Sequence, residues 1–538
     1  MDPARASVAP ETDLVRAVYE GLTELDGRTL EALPAAAASW NASTDHREWT
    51  FRIRPDAKWS NGDPVTANDF IRSWTRAATL ADASPNAELF GNIVGLKLNY
   101  KKPEAVETSR SVSALSSIGG RARRQTANTP ANSAGNNSVE GPQKQAGNVG
   151  LSAPDERTVV VKLVEPNREF PRLVAHPIFR PIFGADVSAD MVSPAAVTNG
   201  AFRIAEANAD GVVLERSSTY WNNAAVKLER VVFVPAESGE QALEAYRAGK
   251  VDVVTNAQFS PLVLKLLAQY DDFRRRPFAA LNVYDLNVDR PAFRDRRVRE
   301  ALAISVERER LTEGELEGTT QPALNYLPFG SSPKRKIVQD RQRARDLMEE
   351  AGYPNGEDFP SVTLTVNRND AQQRIARSVA EMWKQNLNIN VDVVVKEAAD
   401  IERDRETGDY DIARRGVVMP SADEASNMRR IFGSRYQSDE PEANETASNS
   451  NGGSPPKGTG KNANSNSNTF AIPSGTPAAK RITVADEDDA LFELTAIPLY
   501  FPSSYSLVKP YILGFETNVL DASLLHEVFI NPDWKPNG

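Results

Sequence analysis

Few side chains in this sequence are suited to covalent or metal chemistry. The chain has no cysteine, which removes disulfides, thiolate nucleophiles and Cys-bound metals together. Its three histidines, His46, His176 and His526, do not stand at the HxH or HExxH spacing of a shared metal site. We therefore expect no metal and no cofactor, and we interpret each histidine as an ordinary surface or core residue.

Motifs for catalysis are also missing from the sequence. It contains no GxSxG elbow, no P-loop and no GxGxxG after a predicted strand. Serines and carboxylates are abundant, so a hydrolase that uses a carboxylate pair stays an alternative. Because isolated carboxylates are nearly always surface groups, the sequence favours a protein that is not an enzyme.

Composition is that of a soluble globular chain of about two to four domains. The 538 residues are 40% hydrophobic and 25% charged. The net charge of −10 argues against a nucleic-acid partner, which would require a basic face. No apolar run approaches the ~20 residues of a membrane span. The N-terminus, MDPARASVAPETD, lacks the apolar stretch of an export signal, so the protein is either cytosolic or numbered after signal removal.

The segment Trp49–Trp74 predicts a strand, a tight turn and a capped helix. Apolar and polar residues alternate at its start, which is the period of a half-buried strand. The sequence Asn-Gly-Asp-Pro at 61–64 then breaks the strand. Thr66 is placed to cap a helix with Asp69 in its first turn and an apolar stripe that ends at Trp74.

Strands and helices alternate over much of the remaining chain. Residues 362–366 and 390–396 predict strands on either side of a helix at 370–387, which together form a βαβ unit. Further helices are predicted at 241–248, around 344–351 and at 297–311. This alternation predicts α/β domains with mixed sheets, and a cleft between two such domains is the usual place for a ligand.

Two segments, at about 104–150 and 437–480, are rich in Ser, Asn, Gly and other small or polar residues. Their apolar content is too low to offset the entropy of ordering, so we interpret them as solvated, disordered insertions. A tethering or partner-binding arm is the alternative.

Several sequence blocks, taken in order, resemble the family 5 extracellular solute-binding proteins, the oligopeptide-binding components of ABC importers. They are PETDLVRAVYEGL, WTFRIRPDAKWSNGDPVTANDFIRSW, VTNGAFRI, VVLERSSTYWNN, LNVDRPAFRDRRVREALAISVERERL, ARDLMEEAGYP, GDYDIARRGVV and IPLYFPSSYSLVKPYILGF. Together they cover most of the chain outside the two polar segments.

The resemblance implies an α/β, two-lobed periplasmic-binding-protein fold of the class II type with an extra inserted domain, three domains in all. Lobe I would comprise residues 1–23, 179–278 and 497–538, with residues 24–178 inserted in it. Lobe II would comprise residues 279–496. Such proteins close around an extended peptide by hinge motion and hold it as an added strand.

The resemblance also implies which residues would contact a ligand. Glu11 and Thr12 match a backbone segment that touches the peptide from one side. On the opposite side, Gly416, Val417 and Val418 follow the YDIAR motif and would supply main-chain groups. Arg405 and Arg414 match arginines that neutralise the C-terminal carboxylate of the peptide, a task that suits the guanidinium group.

Four positions depart from the family pattern. Pro420 aligns with an aspartate that receives the free amino group of the peptide, and either Asp423 or Glu424 is the nearby candidate to replace it. Gln372 aligns with a histidine that assists at the carboxylate, Ala398 with a pocket tryptophan and Val417 with an aromatic residue. An ammonium buried without a carboxylate partner is unfavourable, so we expect the cleft to take either a different ligand or a peptide held mainly by its backbone and its carboxylate.

The function implied by the resemblance is that of an extracytoplasmic receptor with a peptide or peptide-like ligand. Its partners would be the ABC permease subunits in the membrane, its location the periplasm, and its state a monomer. The departures at the site leave a second alternative open, a binding protein that has become a sensory or interaction partner.

Overall fold

The computed structural model describes residues 2–7, 9–80, 84–96, 150–184, 192–330, 333–437, 482–516 and 518–534. The two polar segments interpreted as disordered insertions lie almost entirely outside these residues.

Short antiparallel sheets dominate the first 240 residues. One has the strand order β3-β4-β6-β5, another the order β7-β8-β9, and β1 pairs with β2. The strands are β1 (Thr23–Leu25), β2 (Ala32–Pro34), β3 (Ala37–Ala42), β4 (Glu48–Ile53), β5 (Leu151–Asp155), β6 (Thr158–Lys162), β7 (Phe202–Asn208), β8 (Gly211–Arg216) and β9 (Arg230–Phe233). The helices among them are α1 (Glu11–Val18), α2 (Ala67–Thr79) and α3 (Phe170–Leu173).

The rest of the chain builds a larger mixed sheet with helices packed on it. Its strands are β10 (Val253–Thr255), β11 (Phe273–Pro277), β12 (Ala280–Leu286), β13 (Thr320–Pro322), β14 (Val362–Asn367), β15 (Val391–Lys396), β16 (Ile412–Val418) and β17 (Ala496–Val508), and β18 (Ile512–Leu513) pairs with β19 (Phe529–Ile530) outside it. The helices are α4 (Gly239–Arg247), α5 (Pro261–Leu267), α6 (Pro291–Arg294), α7 (Arg296–Ile304), α8 (Arg308–Arg310), α9 (Arg341–Glu350), α10 (Asp370–Leu387), α11 (Ala398–Thr407), α12 (Glu424–Phe432) and α13 (Glu487–Glu493).

Two large hydrophobic cores divide the molecule. The N-terminal core is formed by buried side chains from residues 4–226, and it includes Trp59, Phe70 and Trp74. The C-terminal core is formed by buried side chains from residues 279–501, and Tyr284 and Trp383 pack together in it. Separate cores of this size are what two independently packed bodies require.

Strand β17 continues from the C-terminal core into a smaller hydrophobic cluster, which is formed by buried side chains from residues 242–267 together with Leu507. Its first half, Ala496–Tyr500, pairs with β12 beside the C-terminal core, while its second half, Ser503–Val508, pairs with β10 and β11. The chain also passes between this smaller cluster and the C-terminal core from β11 to β12, at residues 277–280. The two crossings therefore lie next to each other, which is a suitable arrangement for a hinge.

Several elements predicted from the sequence are confirmed. Thr66 precedes α2, and its backbone N–H donates to the Asp69 carboxylate over 2.9 Å in a capping box. Strands β14 and β15 are parallel and in register from Val362 opposite Val391, with α10 between them in the sequence.

The single helix predicted at 297–311 is wrong. Helix α7 ends at Ile304, and a short helix and a π-helical turn follow it. Arg308 explains the break, because its buried guanidinium donates hydrogen bonds to Ala303 O over 3.0 Å and to Pro498 O over 2.9 Å. The Arg308 side chain thus donates to the Ala303 carbonyl, which would accept from a backbone N–H if the helix continued.

Candidate functional site

Strand β16 has one edge that is only partly covered. It pairs with β12 along its whole length, from Ile412 opposite Leu286 to Val418 opposite Ala280. Its pairing with β14 on the other edge is limited to Ile412 and Ala413. Within the described parts of the chain, the second edge of residues 414–418 therefore faces no strand, which is the geometry that accepts an added strand.

The main-chain groups at this open edge can be identified from the strand alternation. Met419 donates its backbone N–H to Ala279 O over 2.8 Å, so its N–H points towards β12. Because successive residues point their N–H and C=O groups to opposite edges, those of Gly416 and Val418 point to the open edge. Both residues are partly exposed, whereas the side chain of Val417 is buried. Of the three predicted contact residues, two thus present main-chain groups and Val417 packs inward.

Arg414 stands beside this edge, and three neutral polar residues are among its partners. Its guanidinium donates to Asn282 Oδ1 over 3.1 Å and to Asn367 Oδ1 over 3.4 Å. Tyr500 lies against it, and Gln372 Nε2 donates to the Tyr500 hydroxyl over 2.8 Å. The structure therefore brings Arg414 and Gln372, which the family resemblance placed at one site, into one cluster.

Two sources of positive charge meet at this cluster. Gln372 lies in the first turn of α10, and its backbone N–H donates to Asn369 Oδ1, the N-cap, over 3.1 Å. The N-terminus of an 18-residue helix carries a partial positive charge. Arg414 is 9% exposed and carries a full positive charge.

Arg405 does not join this cluster. Its guanidinium contacts the buried carboxylate of Asp285 at 3.0 Å and also pairs with Glu402. Arg415 contacts the same Asp285 carboxylate at 3.0 Å. Since Arg414 and Arg415 are adjacent in β16, their side chains leave the strand on opposite faces. Arg405 thus shares a carboxylate on the face opposite to Arg414, and the structure does not bring the two predicted carboxylate-binding arginines together.

The buried carboxylate of Asp285 is held ionised by its neighbours. Burial by itself would raise its pKa, but Arg415, Arg405 and Arg435 outweigh this and lower the pKa to about 2. The network is a structural ion cluster that fixes α11 to β12 and β16.

Glu11 and Thr12 form the first turn of α1 in the N-terminal body. Glu11 is exposed, and Thr12 is buried. One turn further on, Arg16 lies in a pocket that also includes Pro420, which follows β16. The structure therefore places α1 across from the end of β16, although Glu11 and Thr12 are not in that pocket.

Asp423 is engaged within the protein. Its side chain is completely buried, Oδ2 accepts from the Ser426 backbone N–H over 2.7 Å as the N-cap of α12, and Oδ1 accepts from Asn167 Nδ2 over 2.9 Å. Both carboxylate oxygens are thus used, one of them by the opposite body. In this arrangement Asp423 has no free face for the ammonium of a ligand. It therefore cannot take the role of the aspartate that Pro420 replaces.

Sequence reasoning missed the neutral residues around Arg414 and the residues that face Pro420. Asn282, Asn367 and Tyr500 come from three strands that are distant in the sequence, so no local pattern marks them. Arg16 and His176 lie in the pocket beside Pro420 and also carried no local signal.

Neither a metal site nor a membrane span is present in the described part of the chain. No group of three or more His, Asp or Glu residues there is arranged to hold a metal ion. No described helix is both long and apolar enough to cross a bilayer.

Comparison with known proteins gives consistent matches over most of the chain. The sequence profile described as bacterial extracellular solute-binding proteins, family 5 Middle, matches residues 31–439. The periplasmic oligopeptide-binding protein OppA of Escherichia coli K12 is 30% identical over 439 residues, which are 77% of this chain and 72% of that protein.

Solved structures match the whole fold. The unliganded open form of the periplasmic murein tripeptide binding protein MppA superimposes with a TM-score of 0.71 at 24% identity, covering 98% of this chain and 94% of that one. Haemophilus influenzae OppA in complex with RPPGFSPFR gives a TM-score of 0.55 at 25% identity, covering 98% and 96%. The fold is therefore the α/β, two-lobed periplasmic-binding-protein fold, and the chain belongs to the family 5 bacterial extracellular solute-binding proteins.

Proposed function

We propose that the protein is the extracytoplasmic receptor of an ABC importer and captures a peptide or peptide-like ligand between its two lobes. The observation that carries this is the open edge of β16 at Gly416 and Val418, with Arg414 beside it. Relatives whose names describe oligopeptide or murein peptide binding support the choice of ligand class.

Main-chain pairing would supply much of the affinity. An extended ligand placed along β16 would exchange hydrogen bonds with Gly416 and Val418, each contributing about 0.5–1.5 kcal/mol. Because these bonds do not depend on ligand side chains, the site would accept different sequences. Glu11 and Thr12 would reach the ligand from lobe I when the lobes close.

A terminal carboxylate of the ligand would bind at Arg414. Gln372 and Tyr500 add neutral hydrogen-bonding groups there, and the N-terminus of α10 adds partial positive charge. Arg405 would contribute indirectly, by holding α11 in place through Asp285.

Closure would occur at the paired crossings in β17 and between β11 and β12. On this proposal lobe I comprises residues 1–23, 179–278 and 497–538, residues 24–178 are inserted in it, and lobe II comprises residues 279–496. The separate hydrophobic clusters on the two sides of the crossings support this division. The protein would act in the periplasm as a monomer that docks on the permease, without catalysing a reaction.

Substitution of Gly416 by proline tests the strand-addition geometry. Proline removes the N–H that points to the open edge and leaves the ladder with β12 intact. We expect Gly416→Pro to fold and to bind an alanine tetrapeptide about tenfold more weakly by calorimetry, in line with the loss of one hydrogen bond and its neighbour contacts.

The matched control is Val417→Pro, whose lost N–H belongs to the β12 ladder, so that variant should lose stability instead. Unchanged peptide affinity in folded Gly416→Pro would refute the strand-addition site. Mass spectrometry of small molecules that co-purify with the wild-type protein would identify the ligand directly.

A further inference from the structure

The two lobes enclose a small pocket at the end of β16. Lobe I contributes Arg16 and His176, and lobe II contributes Pro420, two residues beyond Val418. Its free space accommodates about one water molecule. The pocket lies where one end of a ligand strand on β16 would be. The chemistry of its wall therefore determines which terminal group of the ligand can bind there.

One hydrogen-bond donor in this wall has no partner in the described part of the chain. His176 is 6% exposed, and its Nδ1 accepts the backbone N–H of Ile178 over 3.1 Å. Burial, with help from Arg16, Arg430 and Arg180, lowers the pKa of His176 to about 3, so the ring is neutral. With Nδ1 accepting, the ring proton must be on Nε2, which makes Nε2 a donor.

The charged groups around the pocket are already paired. Arg16 contacts Asp13 at 3.4 Å, and Arg180 pairs with Glu24. Arg172 pairs with two carboxylates, those of Glu31 and Glu169. The wall also includes Glu24, the partner of Arg180, and Ser421. Its other residues are apolar and are Leu25, Ala175, Pro177, Pro420, Ala422 and Leu520.

Building on the proposed function, we propose that this pocket binds the carbonyl oxygen of an uncharged acyl group at the head of the ligand, with His176 Nε2 as donor. A single oxygen matches the room for one water, which it would displace. An ammonium group can only donate and needs free acceptors, whereas the wall offers the His176 donor and the guanidinium groups of Arg16 and Arg172. The Glu24 carboxylate in the wall is already paired with Arg180. The preferred ligand is therefore an N-acylated peptide or a peptide-like compound with a carbonyl at that end.

Three ligands that share one four-unit alanine framework separate the effects of charge and carbonyl. They are tetraalanine, its deamino analogue (propionyl-trialanine) and N-acetyl-tetraalanine. We expect calorimetry to rank the affinities with acetyl tightest and free amine weakest, and the acetyl form at least tenfold tighter than the free amine.

The variant His176→Asn tests the donor. Asparagine keeps a side-chain oxygen for the Ile178 N–H, so the turn is preserved, but it cannot reach the pocket as Nε2 does. We expect His176→Asn to reduce the affinity for the acetyl ligand to that of the deamino analogue and to leave the other two ligands unchanged.

The outcomes distinguish the two proposals. Tightest binding of the free amine, or an acetyl preference that persists in His176→Asn, overturns the acyl pocket and leaves the peptide receptor standing. If folded wild-type protein binds none of the three ligands, the receptor proposal falls, and the pocket assignment falls with it. If His176→Asn does not fold, the ranking of the three ligands on wild-type protein still decides.

Discussion

Asn167 and Asp423 join the two lobes through a buried hydrogen bond of 2.9 Å between Asn167 Nδ2 and Asp423 Oδ1. The same aspartate caps α12 through its other oxygen. Next to it, the Glu424 backbone N–H donates a hydrogen bond to Glu169 Oε2 over 2.9 Å, which extends the junction. Helix α12 therefore rests on lobe I by its N-terminus. A residue that looks like a ligand group in the sequence is instead part of the contact between the lobes.

Asp423→Ala should be clearly destabilising, by about 2–4 kcal/mol. It removes a helix cap and leaves the Asn167 amide buried without its acceptor. Asp486→Ala is the matched control, because Asp486 caps α13 at an exposed position by accepting from the Asp489 N–H over 2.8 Å, and should cost about 1 kcal/mol. Chemical denaturation measures both. Equal losses would mean that the bond to Asn167 contributes nothing.

Arg414→Ala should weaken a ligand that has a free C-terminal carboxylate by about 2–5 kcal/mol, because a desolvated charge pair is lost. The control lies in the ligand: a C-terminally amidated peptide should bind wild type weakly and should be little affected by the substitution. Calorimetry on both peptides gives the comparison. An identical loss for acid and amide would show that Arg414 supports the fold and does not contact the carboxylate.

Much of the fold was accessible from sequence because its signals are local. The capping pair Thr66 and Asp69, and the βαβ unit from Val362 to Lys396, depend on periodicity and end residues within a short window. The break after Ile304 was not accessible, because it depends on Arg308 reaching Pro498, 190 residues away in the sequence.

The site was accessible only in part, for the same reason. Sequence similarity placed Arg414 and Gln372 in one site, and the structure puts them in one cluster. It also placed Arg405 there, yet the partner that decides its position, Asp285, is 120 residues earlier and on the other face of the sheet. Which face a side chain takes depends on strand register, and a short motif does not encode the register of its neighbours.

Asp285→Asn should destabilise the protein by about 3–5 kcal/mol near neutral pH, since it leaves Arg405 and Arg415 without their shared buried carboxylate. The lowered pKa, about 2, means that this carboxylate stabilises the fold above its unfolded pKa of about 3.9 and loses its contribution as the pH falls towards 2.

Stability measured between pH 5 and pH 2 should therefore fall less steeply in Asp285→Asn than in wild type. Asp409→Asn, which removes an exposed pair with Arg290 at 3.5 Å, is the control and should cost less than about 1 kcal/mol. A steep acid loss that persists unchanged in Asp285→Asn would assign the acid sensitivity to other carboxylates.

Glu487→Gln should stabilise the protein at pH 8 by about 1–3 kcal/mol and have little effect at pH 4. Burial raises the pKa of Glu487 to about 7, against the opposing effect of the Leu327 and Tyr326 backbone N–H groups, which Oε1 accepts at 2.7 Å each. The folded chain thus keeps a proton that the unfolded chain releases near pH 4.3, so this favourable contribution is complete below that pH and is lost as the pH rises through 7. Glutamine keeps the oxygen acceptor and does not titrate.

Denaturation midpoints from pH 4 to pH 8 measure the effect. The exposed Glu349→Gln on α9 is the control, and its stability should differ from that of wild type by the same amount at every pH. Because burial also raises the pKa of Glu20 to about 7, some decline with pH should remain in Glu487→Gln. A variant that loses stability with pH as steeply as wild type would show that Glu487 is ionised in the folded protein at neutral pH.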